Sequence, residues 1–154
     1  MINMKEIRNF NDLLCIEPYG DYYLTHDIDC AGAEITHLVG DFKGTINGKG
    51  FAIKNLTIKE EDIWTDGQLI ALFYTMSNAC VKNLRLENIS LSIAPSDYSP
   101  SVALLCVKAN NSTIENLTVN PSSAITNNIP LVYEANNCSF ANIQLKSPIE
   151  LKLY

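Results

Sequence analysis

Apolar residues recur along this chain in short alternating runs broken by asparagine, serine and glycine, and four of those runs share one design. AIKNLTI (52–58), CVKNLRL (80–86), TIENLTV (113–119) and SFANIQL (139–145) each read apolar residue, any residue, Asn, aliphatic, any residue, aliphatic. The anchors are Asn55, Asn83, Asn116 and Asn142, spaced 28, 33 and 26 residues apart. Aligned without gaps on those anchors, Leu72, Leu105 and Leu131 also coincide, as do the pairs Ser77-Asn78, Asn110-Asn111 and Asn136-Asn137. Agreement at several offsets marks an internal repeat, which decides the architecture before any single residue does.

Period-two apolar runs bounded by turn residues are the pattern of strands. A helical repeat of similar length needs long stretches of 3.6 periodicity, and residues 40 to 154 contain none that convinces. The expectation is an all-β fold, a short right-handed parallel β-helix or solenoid of about four or five coils. With coils about 4.8 Å apart the rod is roughly 20 to 25 Å long. Asn tolerates the left-handed backbone conformation where the chain turns between strands. An inward-facing amide can also bond the Asn one coil above and below, so the four anchors read as a structural ladder. Ile53, Leu56, Ile58, Val81, Leu84, Leu86, Ile114, Leu117, Val119, Phe140, Ile143 and Leu145 should stack in rows as the core.

FKGTINGKGFAIKNLTI, followed by LIALFYTMSNACVKNLRLENISL, resembles the GLUG-type repeat of bacterial right-handed parallel β-helix proteins. Phe42, Gly44, Ile46, Asn47, Gly48 and Gly50 match its first block, and Ala71, Leu72 and Phe73 stand where that repeat has Gly-Leu-Phe. The upstream YYLTHDIDCAG is similar to the lead-in of such repeats, so the resemblance covers residues 19 to 145. It implies a right-handed solenoid used as a noncatalytic module in adhesive or surface-displayed proteins.

The chain divides as one solenoid domain, 1–154, with an N-terminal cap and lead-in (1–40), repeat coils (41–145) and a C-terminal capping strand (146–154). Open solenoid ends need caps. Asn9 or Asn11 can N-cap a short helix through Phe10, Leu13, Leu14 and Ile16 over the first coil. Beyond Ser147-Pro148, the apolar Ile149, Leu151 and Leu153 alternate with charge as a last strand. Two insertions follow the strands after Asn55 and Asn83, and loops on a rigid scaffold are where binding residues collect. Lys59 to Gly67 and Ala94 to Pro100 leave one corner a coil apart and should be neighbours. Together they carry Glu60, Glu61, Asp62, Trp64, Asp66, Asp97 and Tyr98, a composition suited to a partner bearing Lys or Arg.

With 154 residues, 47% apolar and 18% charged, the chain can bury one core. Its net charge of −6 argues against direct nucleic-acid binding, and residues 1 to 66 hold twelve of the seventeen acids. Cys15, Cys30, Cys80, Cys106 and Cys138 form no CxxC pair, so reduced thiols are expected and neither disulfides nor zinc. The start MINMKEIRNFNDLL lacks a signal-peptide pattern, and no apolar run of about 18 residues exists to span a bilayer. The reading is cytoplasmic, without a membrane partner. His26, Asp27, Asp29, Cys30 and His37 are too poorly spaced for a metal or acid–base site. Asp is not repeated at equivalent coil positions as in a polysaccharide lyase, and no nucleotide or hydrolase motif is present. No catalytic residue, metal or cofactor is expected. The functional expectation is a noncatalytic protein that engages a basic protein partner through the corner of the two insertions. An inhibitor encoded by a phage or mobile element, acting on a host nucleic-acid-binding enzyme, has these properties. The alternatives are a glycan-binding or adhesive module of an exported protein and a carbohydrate-active enzyme. Exposed sheet faces leave self-association open.

Overall fold

The computed structural model describes residues 3–60, 68–93 and 100–151. In chain order the elements are β1 (Lys5–Ile7), the helix α1 (Phe10–Leu14), β2 (Asp21–Leu24), β3 (Ile28–Ile35), β4 (Val39–Phe42), β5 (Thr45–Asn47), β6 (Ala52–Lys59), β7 (Leu69–Ile70), β8 (Phe73–Ser77) and β9 (Cys80–Ser92). They continue with β10 (Ser101–Val102), β11 (Cys106–Asn110), β12 (Thr113–Pro121), β13 (Ile129–Pro130), β14 (Val132–Asn136), β15 (Ser139–Leu145) and β16 (Ile149–Glu150). Every strand pairing among the described residues is parallel. The largest sheet runs β1-β2-β5-β9-β12-β15, with β3 and β6 joining it beside β9; a second runs β14-β11-β8-β4. Two short pairs, β7 with β10 and β13 with β16, make the remaining sheets. The result is all-β, mostly parallel and solenoid-like, with equivalent strands laid side by side in chain order.

The spacing of buried residues in β9 explains how one strand serves two sides. Val81, Leu84, Leu86 and Ile89 are buried, so the interval alternates three, two, three. Each interval of three contains one Asn in the left-handed region, Asn83 at φ 53° and Asn88 at φ 52°. The extra residue bends the strand and resets the alternation, and the residues on both sides of the bend therefore point inward. The same device shapes β12 at Asn116 (φ 51°), β15 at Asn142 (φ 54°) and β6 at Asn55 (φ 61°). Asparagine tolerates this conformation because its short amide can bond locally where a bulkier side chain meets a steric penalty.

Two separate ladders run along these bends. Asn142 Nδ2 donates to Asn116 Oδ1 (2.7 Å), Asn116 to Asn83 (2.9 Å) and Asn83 to Asn47 (3.1 Å). Asn88 donates to Asn55 (2.8 Å), and Asn55 donates to Asp29 (2.8 Å). Asn55 thus stands above Asn88 and not above Asn83, against the register expected from the sequence. The reason lies in β9 itself. Its segments KNLRL and ENISL both present a bend followed by apolar positions, and pairing of Leu56 with Ile89 selects the second. The amides also do not face inward. Asn88, Asn116 and Asn142 are exposed and Asn55 and Asn83 half-buried, because a bent strand carries its left-handed residue on the convex side. A third corner follows the same rule, with Asn78, Asn111 and Asn137 at positive φ and Asn137 donating to Asn111 at 2.6 Å.

The core is a set of stacked rows. Ile28, Ile53, Leu86, Val119 and Leu145 occupy one, and Ile46, Val81, Ile114 and Phe140 another. Phe42 and Phe73 stack with ring centroids 5.0 Å apart, both buried. Of the twelve expected core residues the first nine are fully buried, whereas Phe140, Ile143 and Leu145 of β15 are only partly covered. At the N-terminal end Asn9 caps α1, its side chain accepting from Asp12 N at 2.8 Å. Leu13 and Ile16 are buried beneath that helix, while Leu14 is exposed. At the other end β16 pairs with β13 and leaves β15 as the last strand of its sheet among the described residues.

Candidate functional site

The two insertions singled out by composition spring from paired strands. Lys59 at the end of β6 lies opposite Ser92 at the end of β9, and Glu60 N donates to Ser92 O at 3.2 Å. On the return side Leu69 pairs with Ser101, and Ser101 N donates to Gln68 O at 2.9 Å. Both stems of one insertion therefore sit next to both stems of the other, as neighbouring coils require. Glu60, the second residue of the first insertion, is buried at 9% exposure and anchors its root rather than facing outward. Glu61, Asp62, Trp64, Asp66, Asp97 and Tyr98 lie outside the described residues.

A third connection, missed in the sequence, completes this corner. Pro121 at the end of β12 pairs with Ile89, Ser122 N donates to Ile89 O (2.9 Å), and Ser90 Oγ donates to Ser122 Oγ (2.5 Å). The turn that follows wraps back so that Ala124 to Asn127 face Leu91, Ile93 and Ile129 across an open pocket of about 160 Å³. Leu91 is half-buried and Ile93 is 40% exposed, so the pocket offers apolar surface beside the roots of the acidic insertions. The one signal for it was Ile125, a lone aliphatic in the polar string PSSAITNN, which is 9% exposed.

The residues weighed for catalysis are otherwise occupied. Asp27 accepts from Ala52 N (2.9 Å) and faces Arg85 (3.5 Å) and Lys54 (3.8 Å), while Arg85 bonds Gly50 O and Glu87. This network pins the turn that precedes β6. Asp29 accepts from Asn55 and from Ala31 N, and these bonds hold its carboxyl below the usual range. His26 Nδ1 lies 3.1 Å from Thr25 Oγ1, and the His37 ring packs on Tyr74 with centroids 4.5 Å apart. Burial pushes the Cys30 and Cys106 thiols up to about 12, which removes them as nucleophiles near neutral pH. Among the described residues no three His, Cys, Asp or Glu side chains gather in a metal-binding group, and no helix is long and apolar enough to cross a membrane. No protein-family model, curated protein or solved structure matches the chain.

Proposed function

We propose that the chain is a short right-handed parallel β-helix of GLUG-type repeats that binds another macromolecule without catalysis, through the corner where its three long connections meet. Four coils of three strand segments, β4 to β15, stack on a partial coil made by β2 and β3, and β1 pairs beneath β2. The repeat reading draws support from its glycines. Gly50 sits at φ 86°, and a side chain on Gly44 would overlap the carbonyl oxygen of Gly20. The partner is a protein with a basic surface, such as a host nucleic-acid-binding enzyme blocked by an inhibitor from a phage or mobile element.

The observation that carries this reading is the pairing of the insertion stems, Lys59 with Ser92 and Leu69 with Ser101. It joins loops whose sequence supplies four of the chain's carboxylates beyond Glu60, with Trp64 and Tyr98, to one rigid edge beside an apolar pocket. Acidic residues around an apolar recess suit an apolar anchor flanked by Lys or Arg. A pull-down from bacterial lysate at low and moderate salt tests it. A protein captured at low salt, and lost both at higher salt and with Trp64→Ala plus Glu61→Lys, supports the proposal. Binding to arrayed glycans with no protein captured overturns it in favour of an adhesive module.

A further inference from the structure

We propose that Asn47–Gly48 is a latent self-modification site, where an opened chain converts Asn47 to aspartate or isoaspartate and the refolded solenoid accepts the aspartate alone. The chemistry needs a side-chain amide followed by an unhindered backbone nitrogen. Asn47 is the one asparagine of the chain that precedes glycine. The corner asparagines Asn55, Asn83, Asn88, Asn116 and Asn142 each precede Leu or Ile, whose branched side chains crowd the nitrogen. Packing fixes the pair. A Cβ on Gly48 would stand 2.4 Å from the carbonyl oxygen of Asn83 and 2.7 Å from Leu84 Cα, so the close approach of β5 to β9 admits only glycine there.

In the reaction the Gly48 nitrogen attacks the side-chain carbonyl carbon of Asn47. A C–N bond forms, the Gly48 nitrogen gives its proton to solvent, and the side-chain nitrogen takes up a proton and leaves as ammonia. Water then opens the cyclic imide at either carbonyl, giving aspartate or, with the main chain rerouted through the side chain, isoaspartate. The native fold restrains the nucleophile. Gly48 N donates to Lys82 O at 2.8 Å and Gly50 N to Asn83 O at 2.8 Å, so the proton that must leave is held against β9. The imide forms only in chains where this pairing has opened.

The aspartate product has a seat prepared for it. Among the described residues both side-chain bonds of Asn47 are accepted by Oδ1, from Lys49 N at 2.9 Å and Asn83 Nδ2 at 3.1 Å, and a carboxylate oxygen accepts both. Asp29 already does this at the head of the other ladder, accepting from Ala31 N at 2.9 Å and Asn55 Nδ2 at 2.8 Å. The two turns match in backbone as well. Ala31 and Gly32 lie at φ 54° and 79°, Lys49 and Gly50 at 55° and 86°. Isoaspartate instead adds a methylene to the main chain between a residue paired with Tyr23 and Lys82 and a Gly48 nitrogen bonded to Lys82 O. The lengthened chain cannot keep both.

Peptide mapping by mass spectrometry of the full chain, aged at mildly alkaline pH with and without urea, tests the proposal. Position 47 should deamidate at least about a hundredfold more slowly without urea, since only the open fraction reacts. In urea it should outpace Asn55, Asn83 and Asn116. When urea is removed and the folded chain is isolated by size exclusion, that fraction should carry aspartate at position 47, with isoaspartate confined to the chains that fail to refold. Asn47→Asp should match the natural chain in circular dichroism and melting. Equal rates with and without urea overturn the proposal, as does a position 47 no faster than Asn55 in urea. Isoaspartate in the folded fraction, or an Asn47→Asp chain that does not fold, overturns it too.

Discussion

Replacing Asn116 separates the two roles given to the corner asparagines. Its backbone is left-handed, at φ 51°, and its amide both donates to Asn83 and accepts from Asn142. Alanine loses the bonds and must also hold a conformation that costs an ordinary L-residue ~1–2 kcal/mol. Glycine loses the bonds and holds the conformation freely. Because the side chain is exposed, each bond is worth the lower end of the usual range, about 0.5 kcal/mol. With the ~0.5–1 kcal/mol entropic cost of glycine included, Asn116→Gly should therefore cost about 1.5 to 2 kcal/mol and Asn116→Ala about 2 to 3 kcal/mol. At ~2–4 °C per kcal/mol for a chain of this size, thermal unfolding by circular dichroism resolves the two. Asn47 supplies the control. It ends the same ladder, accepting from Asn83 at 3.1 Å and from Lys49 N at 2.9 Å, but it has no positive φ. There the order should reverse, with glycine costing ~0.5–1 kcal/mol more than alanine through the entropy of the unfolded chain. Equal melting of the two Asn116 variants, or the same order at both positions, would refute the account of the corners.

The remaining predictions test other levels of the structure. Phe73→Ala removes a fully buried ring stacked on Phe42 and should cost ~3–5 kcal/mol in urea unfolding; a loss below about 1 kcal/mol would show that these rows do not carry the core. Asp29 has a lowered pKa in the folded chain, so its contribution is present above its unfolded value of 3.8 and disappears as pH falls through the lower folded value. Asp29→Asn should flatten the acid limb of the stability profile, and an unchanged limb would remove Asp29 from that role. Cys15 is exposed, whereas Cys30 and Cys106 are buried with thiols pushed up to about 12. A disulfide reagent near neutral pH should thus modify Cys15 in the native protein and reach Cys30 and Cys106 only on unfolding, as peptide mapping would detect.

Much of this architecture was legible because a solenoid writes each structural decision several times. The apolar positions of AIKNLTI, CVKNLRL and TIENLTV are the buried ones, and Asn9 caps the helix that the N-terminal pattern implied. What escaped is what repetition makes ambiguous. KNLRL and ENISL offer the same bend five residues apart, and only the pairing of β6 with β9 reveals that Asn55 belongs with Asn88. Amide direction was misjudged for a related reason, since strand alternation holds on either side of a bend and fails at it. That both insertions follow the strand after an anchor Asn predicted their adjacent stems, but the pocket depends on Ile93 and on a polar turn around Ile125, whose contacts come from separate parts of the chain.

Interchangeable bends also bear on how this chain finds its way to the native state. Both halves of β9 carry a left-handed Asn followed by buried apolar residues, so local pattern alone leaves β6 two threadings. Only when Asp29 and Ala33 of β3 meet Asn55 and Leu56, while Asn47 claims Asn83, does one solution satisfy every coil at once. Proofreading of the register is thereby delegated to the oldest, N-terminal layers, those a ribosome would release first.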